Sequence, residues 1–371
     1  MGGKAHPAKP VLFVTGHAPR DRIGAFAALH EREDVEFALF GGRSLHGPAE
    51  LPAPPLPFPH RHVAQREIAR LAGSGRYRAV VASTGGRVAL PAAWAGARRA
   101  GVPLILWSSL WAHPRSAAHA LSFLALARLY RSADALVTYG PHVSAYVRAR
   151  GARNVHEAPQ SVDNDFWGAA DLAPPREPSW PRGEAQVRFL FVGRPAREKG
   201  LGVLIEAWHA YGPDAPAAAL VLVGVGSSPP WVPAGGAVSA LCLDPVAPVE
   251  LRNFYAAADV LVLPSIPTRT FREPWGLVVN EAMNRQLPVI VSDAVGAAAG
   301  GLVRHERNGL VVPAGEPRAL ADAMRRLAGD GNLRRRLGEA GARDVRAYSH
   351  AAWAQGLCRA FASVGVTRGR W

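Results

Sequence analysis

RFLFVGRPAREKGLGVLIEAWHA, residues 188–210, carries the plan of the fold. A short apolar run, 188–192, reads as a buried strand. A turn with Gly193 and Gly200 at its ends follows, and then a helical pattern begins. Working outward, the same alternation recurs on both sides. Upstream, strand-like runs stand at 11–15, 35–40, 79–82, 103–107 and 135–138; downstream they stand at 219–223, 238–243, 260–263, 288–292 and 309–312. Short runs separated by helical stretches predict parallel sheets with helices on both faces. A chain of 371 residues is too long for one core, and the rhythm restarts near residue 188, so it predicts an α/β protein of two Rossmann-like, doubly wound parallel-sheet domains facing across a cleft. The expected boundaries are 1–171, a Pro-rich linker at 172–186, a second domain at 187–348, and a terminal helix within 349–371 that crosses back to the first domain.

Composition narrows the class. Apolar residues at 49% and charged residues at 19% exclude a disordered chain. Cys242 and Cys358 are too few and too far apart for a disulfide framework or a thiolate zinc site, which fits a reducing, cytoplasmic setting. No apolar run reaches the length of a membrane span, and the first ten residues lack the apolar stretch of a signal peptide. The net charge of +14 raises nucleic acid as a partner, yet it is spread evenly: 21 basic and 13 acidic residues up to position 180, 22 and 16 after it. Forty of the 43 cations are arginine, so general basicity is preferred to a nucleic-acid patch. The apolar stretch 116–131 ends in basic residues. Burial against the sheet is the expected reading, and peripheral contact with an anionic membrane is the alternative.

Two segments carry candidate chemistry. The turn 193–200 places Arg194, Arg197 and Lys199 at a strand-to-helix junction, where backbone amides and the helix dipole favour an anion such as phosphate. A solvated, Arg-rich turn is the plain alternative. Lys199 is the only lysine beyond residue 9. The second segment, FREPWGLVVNEAM at 271–283, follows the strand at 260–263, and Pro274 is expected to open a helix. Glu273 and Glu281 then bracket the amides of Gly276, Leu277 and Val278 over roughly 12 Å of helix rise. Two hydroxyl-binding carboxylates around an anion site suit a nucleotide-sugar; a helix cap and a solvated helix face are the plain alternative.

Residues 188–348 resemble the donor lobe of retaining glycosyltransferases of family 4, which have the GT-B fold. The matching pieces, in order, are FVGRPAREKG, LVLVGVG, ELRNFYAAADVLVLPS, EPWGLVVNEAM with its E-x7-E pair, LPVIVSD and NGLVVPAGEPRALADAM. LYRSADALVTYG and APQSVDNDFW resemble the end of the family's acceptor lobe. The resemblance implies a metal-independent transferase moving a sugar from a nucleoside-diphosphate donor to an acceptor hydroxyl, on a glycan, a lipid-linked compound or a natural product. Arg194 and Lys199 would bind the diphosphate together with Gly193 and the amides of Gly276, Leu277 and Val278. Glu281 would take the ribose hydroxyls and Glu273 the transferred sugar, with Trp275 beside its pocket. His113 resembles the family's histidine near the anomeric carbon, and Gly16 and His17 stand where the acceptor loop begins. No cofactor is implied, and no D-x-D motif occurs.

The chain departs from the pattern at TGHAPRDRIG, residues 15–24, where single separated glycines and extra charge stand in place of a Gly-rich loop; at Pro159-Gln160-Ser161-Val162-Asp163 in place of Pro-Asn-Gly-x-Asp; and at Trp275 in place of Phe. Competing functions are a hydrolase or epimerase of nucleotide-sugars on the same fold, and a non-catalytic nucleotide-sugar-binding protein. His60 and His62, in a Pro-flanked polar stretch, are expected at the surface.

Overall fold

A computed structural model describes residues 9–41, 55–173, 175, 180, 187–212, 214–227 and 240–368. Two parallel sheets build the chain. The first contains β1 (Val11–Thr15), β2 (Val35–Leu39), β3 (His60–His62), β4 (Ala79–Ser83), β5 (Leu104–Ser108), β6 (Ala135–Thr138) and β7 (Val155–Glu157), in the order β3-β2-β1-β4-β5-β6-β7. The second contains β8 (Val187–Val192), β9 (Ala218–Val223), β10 (Ala240–Leu243), β11 (Val260–Leu263), β12 (Val289–Ser292) and β13 (Leu310–Val312), in the order β10-β9-β8-β11-β12-β13. Central strands such as β1, β6 and β11 are buried along their whole length, which is why they read as nearly continuous apolar runs. This is the GT-B arrangement of two Rossmann-like lobes. The expected strand at 238–243 is seen from Ala240 onward, residues 228–239 lying outside the described part. Most of the expected linker, 174, 176–179 and 181–186, lies outside it too.

Each sheet reverses its winding once, between β1 and β4 in the first lobe and between β8 and β11 in the second. At such a point successive connections leave to opposite faces and open a crevice at the carboxyl ends of the strands. The candidate residues after β1, β8 and β11 therefore gather there because of strand order.

The last helix, His350–Ser363, packs on the first lobe against the helix Arg20–Glu33. Trp353 is fully buried there, 5.7 Å from the ring of Trp107 and 5.6 Å from that of Phe26, with Phe13 and Phe37 completing the cluster. Each such aromatic withdraws enough apolar surface to contribute about 1.5–3 kcal/mol. The helix Ala117–Ser132 departs from the expected burial. Ala127 and Tyr130 are buried against the sheet, whereas Leu124 is 72% exposed. His60 and His62 are exposed as expected, but they sit in the edge strand β3, paired with Phe37 and Leu39 of β2.

Candidate functional site

The second lobe holds the densest constellation. After β8 the chain turns through Gly193 and a single 3-10 turn, Arg197–Lys199, into the helix Leu201–Tyr211. Gly200 makes the turn feasible: its φ is +71°, and a Cβ there would stand 2.0 Å from the carbonyl oxygen of Pro264. That close approach presses the turn against the segment leaving β11, where the Ile266 amide donates to the Glu198 carbonyl at 2.9 Å. Lys199 Nζ consequently reaches Glu273 Oε2 at 2.6 Å, and the Ser265 hydroxyl donates to the same oxygen at 3.3 Å. The pair is largely withdrawn from solvent, with 18% of the lysine and 9% of the glutamate side chain exposed. Glu273 Oε1 takes no bond from a described residue, so one carboxylate oxygen stays available as an acceptor. Arg194 behaves differently: it is 53% exposed and donates to Glu198 Oε1 at 2.5 Å.

The segment 271–283 differs from expectation in one respect. The helix is Leu277–Asn284, so Pro274 lies outside it, in an extended connection, and Gly276 with φ +90° makes the entry. A Cβ on Gly276 would come within 2.7 Å of Leu263 Cδ2, which holds the entry tight against β11. The amides of Leu277 and Val278 then open the helix, where no preceding turn supplies carbonyls to them. Glu281, one turn on, is half-buried and receives the hydroxyl of the fully buried Tyr255 at 2.6 Å on Oε2. Burial pushes its carboxyl up to about 7; the Tyr255 hydrogen bond opposes this, and Asp21, on the first helix of the other lobe, adds to it. The Trp275 ring is not offered to a sugar. It is 3% exposed, donates to Asn280 Oδ1 at 2.8 Å, and packs on His142 and Tyr348.

On the facing lobe, Gly16 and His17 line a cavity of about 290 Å3 at the β1/β4 reversal, together with Ser83, Thr84, Trp107 and Tyr139. Hydroxyls beside two aromatic faces can hold a polar ring. His113 lies elsewhere. It faces a cavity of about 780 Å3 between the lobes, shared with Arg115, Arg150 and Arg269, with Nε2 on the carbonyl of His119 at 2.7 Å and Nδ1 3.4 Å from the Tyr146 hydroxyl. Thus Gly193, Lys199, Glu273, Gly276, Leu277, Val278 and Glu281 gather in one region, whereas His113 has its own.

Several functional partners have no signal in local sequence. Ser265 and Tyr255 are bound to the two glutamates, and Trp111 and His142 come from the other lobe to the carbonyls of Glu273 and Pro274. Position could have suggested Trp111, which follows β5 at the cleft end of its strand; nothing in sequence links His142 to residue 274. Among the described residues no group of three His, Cys, Asp or Glu could hold a metal ion, and no helix is long and apolar enough to cross a membrane.

Comparison with known proteins bears on this lobe first. Residues 186–330 match the family model of glycosyl transferases group 1. The match covers most of the second lobe, from the start of β8 to the helix that follows β13. Among curated relatives, the D-inositol 3-phosphate glycosyltransferase of Corynebacterium glutamicum (strain R) is 40% identical over 118 residues, 31% of this chain and 26% of that protein. The phosphatidyl-myo-inositol mannosyltransferase of Mycobacterium leprae is 32% identical over 214 residues, 57% of this chain and 54% of that one. The chain therefore spans about half or less of the length of these relatives. Among solved structures, HepE of Anabaena in complex with UDP and glucose superposes with a TM-score of 0.69 at 17% identity, over 96% of this chain and 100% of that one. Sucrose-phosphate synthase of Thermosynechococcus elongatus gives 0.69 at 20% identity, over 95% and 98%. At such identity these two speak for the fold.

Proposed function

We propose that the protein is a retaining, metal-independent glycosyltransferase that moves a sugar from a nucleoside-diphosphate donor to an acceptor hydroxyl. The observation that carries this reading is the Lys199–Glu273 pair at the winding reversal of a group 1 glycosyl transferase domain, between an anion-favouring turn and a helix start. The relatives named as glycosyltransferases, and a neighbour solved with UDP and glucose, support it.

In this reading Lys199, Arg194 and the amides of Gly193, Leu277 and Val278 receive the diphosphate. Glu281 takes the ribose hydroxyls and Glu273 those of the transferred sugar. The acceptor enters from the first lobe, past Gly16, His17 and His113. Its oxygen attacks the anomeric carbon as the bond from that carbon to the diphosphate oxygen breaks, and the leaving diphosphate takes the acceptor's proton on the same face. Negative charge grows on the diphosphate in this step, and fixed cations aimed there lower the barrier. They fill the place a divalent ion would take.

A thermal-shift screen of nucleoside diphosphates and their sugars tests donor binding; a ligand at about 100 times its Kd adds ~2.7 kcal/mol. Turnover of the selected donor, followed by NMR with and without EDTA, tests the rest. A product of inverted configuration, activity abolished by EDTA and restored by a divalent metal, or donor consumption that ignores every acceptor would each overturn the corresponding part.

A further inference from the structure

Four successive residues of the segment that carries Glu273 are gripped from the opposite lobe. The Arg272 guanidinium stands 3.7 Å over the ring of Trp111, whose Nε1 donates to the Glu273 carbonyl at 3.1 Å. His142 Nε2 lies 3.2 Å from the Pro274 carbonyl, and its ring is 6.1 Å from that of Trp275. The two first-lobe rings also meet each other edge to face at 4.9 Å, so they form one unit. From the second lobe, the amides of Gly296 and Ala297 donate to the carbonyls of Glu273 and Trp275 at 3.1 and 2.8 Å. Each of the carbonyls 273, 274 and 275 is therefore bound, and two of the three take a bond from the other lobe.

The donor character of both rings is defined. An indole Nε1–H can only donate. Burial holds His142 down at about 4, so the ring is neutral near pH 7; Nε2 then carries the proton it gives to Pro274, and Nδ1 is buried without a partner. A backbone carbonyl attracts a lobe-crossing donor regardless of the side chain it belongs to, so the contacts fix the main chain and leave the Glu273 carboxylate free to meet Lys199.

We propose that Trp111 and His142 are positioning residues: by holding the carbonyls of Glu273 and Pro274, the first lobe sets the Glu273 carboxylate against Lys199, and the sugar-binding arrangement is complete only where the lobes meet. This rests on the reading that Glu273 binds the transferred sugar. A group that acts only on Glu273 influences the sugar half of the donor and leaves the nucleotide half alone, which separates positioning from general stabilisation.

The test compares Trp111→Phe, His142→Phe and Glu273→Gln with the parent protein. Calorimetry gives the affinity for the nucleoside diphosphate and for its sugar, and initial rates give kcat and KM. Phenylalanine at 111 keeps an aromatic ring for Arg272 and His142 and removes the N–H donor together with part of the indole. Expected are an unchanged nucleoside diphosphate affinity in both ring variants, a kcat lowered roughly tenfold by loss of one such bond, and a loss of the extra affinity for the sugar-bearing ligand in the direction of Glu273→Gln. His142→Phe carries the same test should Trp111→Phe fold poorly. If Glu273→Gln lowers kcat a hundredfold or more while both ring variants stay within twofold of the parent, the positioning role is refuted and the donor reading stands. If Glu273→Gln is itself neutral, both fall.

Discussion

If Glu281 takes the ribose hydroxyls as proposed, donor affinity depends on pH, with a sign that follows from the surroundings of this carboxyl. Desolvation raises its carboxyl from 4.5 to about 7, so at pH 6 most molecules carry a proton there. Ribose hydroxyls donate to the ionised form, and binding below about pH 7 must first expel that proton. With a single group at about 7, the apparent affinity rises roughly tenfold from pH 6 to pH 8 and levels off above. The same shift sets stability in the opposite sense: a carboxyl whose folded value lies above its unfolded one gives the fold its full support below pH 4.5, and that support declines as pH climbs toward 7. Calorimetry with the nucleotide-sugar is the suitable assay, because its diphosphate is a diester with no proton to lose in this range. His142, held at about 4, stays neutral throughout, and burial lowers His350 as well. At pH 6, buffers of different ionisation enthalpy should report release of about one proton on binding. Glu281→Gln should flatten the profile. A parent profile that is level within twofold, or an unchanged slope in the Gln variant, refutes the assignment of Glu281 to the donor.

Of the turn's three cations, Lys199 and Arg194 should not be equal. Lys199→Ala, which removes the lysine held at Glu273, should lower kcat/KM ~100-fold or more; Arg194→Ala, at an exposed side chain already paired with Glu198, should cost less, and equal losses in steady-state kinetics would contradict the ranking. Gly200→Ala forces a side chain into a left-handed position with the Pro264 carbonyl 2.0 Å away, so urea denaturation should show a loss of at least ~1–3 kcal/mol together with impaired turnover. Trp353→Ala empties the aromatic cluster that fastens the last helix to the first lobe and should cost about 3–5 kcal/mol in the same measurement.

How far the sequence reaches depends on whether a feature is local. β1, β6 and β11 occupy the residues expected of them, because strands buried on both faces are apolar at nearly every position, with a buried threonine only at the end of β1 and β6. The edge strands of the first lobe escaped notice: β3 is His60–His62 and β7 is Val155–Glu157, three residues each and mostly polar, defined by the neighbours they pair with. The helix after Gly276 shows a similar limit. A proline suggests a helix start, but the left-handed glycine two residues later decides it, since the preceding connection is held by contacts from both lobes. At the site, residue types and order were legible in the turn and the glutamate pair. That Lys199 would meet Glu273, 74 positions away, follows from strand order β8-β11 and from Gly200 against Pro264. His113 shows the converse: the end of β5 was a sound place for a cleft residue, yet the loop turns it toward the arginine-lined cavity.

Under the proposed function, the pairing of charges lets this cleft be both stable when empty and receptive to a diphosphate. An unpaired lysine withdrawn to 18% exposure would be costly, and Glu273 removes that cost. Arg194 is likewise held by Glu198, on the solvent side, where the pair is weak. An arriving diphosphate need not break the first pair, because an ammonium has three donors and Glu273 Oε2 takes only one of them. It can draw Arg194 away from Glu198 at little expense. The inner pair then serves as a fixed frame and the outer arginine as an adjustable clamp. Exchanging the two, with Lys199→Arg and Arg194→Lys, should therefore lower kcat/KM through the inner position, where a planar guanidinium does not fit an ammonium's place, and leave the outer one near the parent value. An intact Lys199→Arg single variant in the same kinetics would mean that charge alone, without the pairing geometry, is what the site requires.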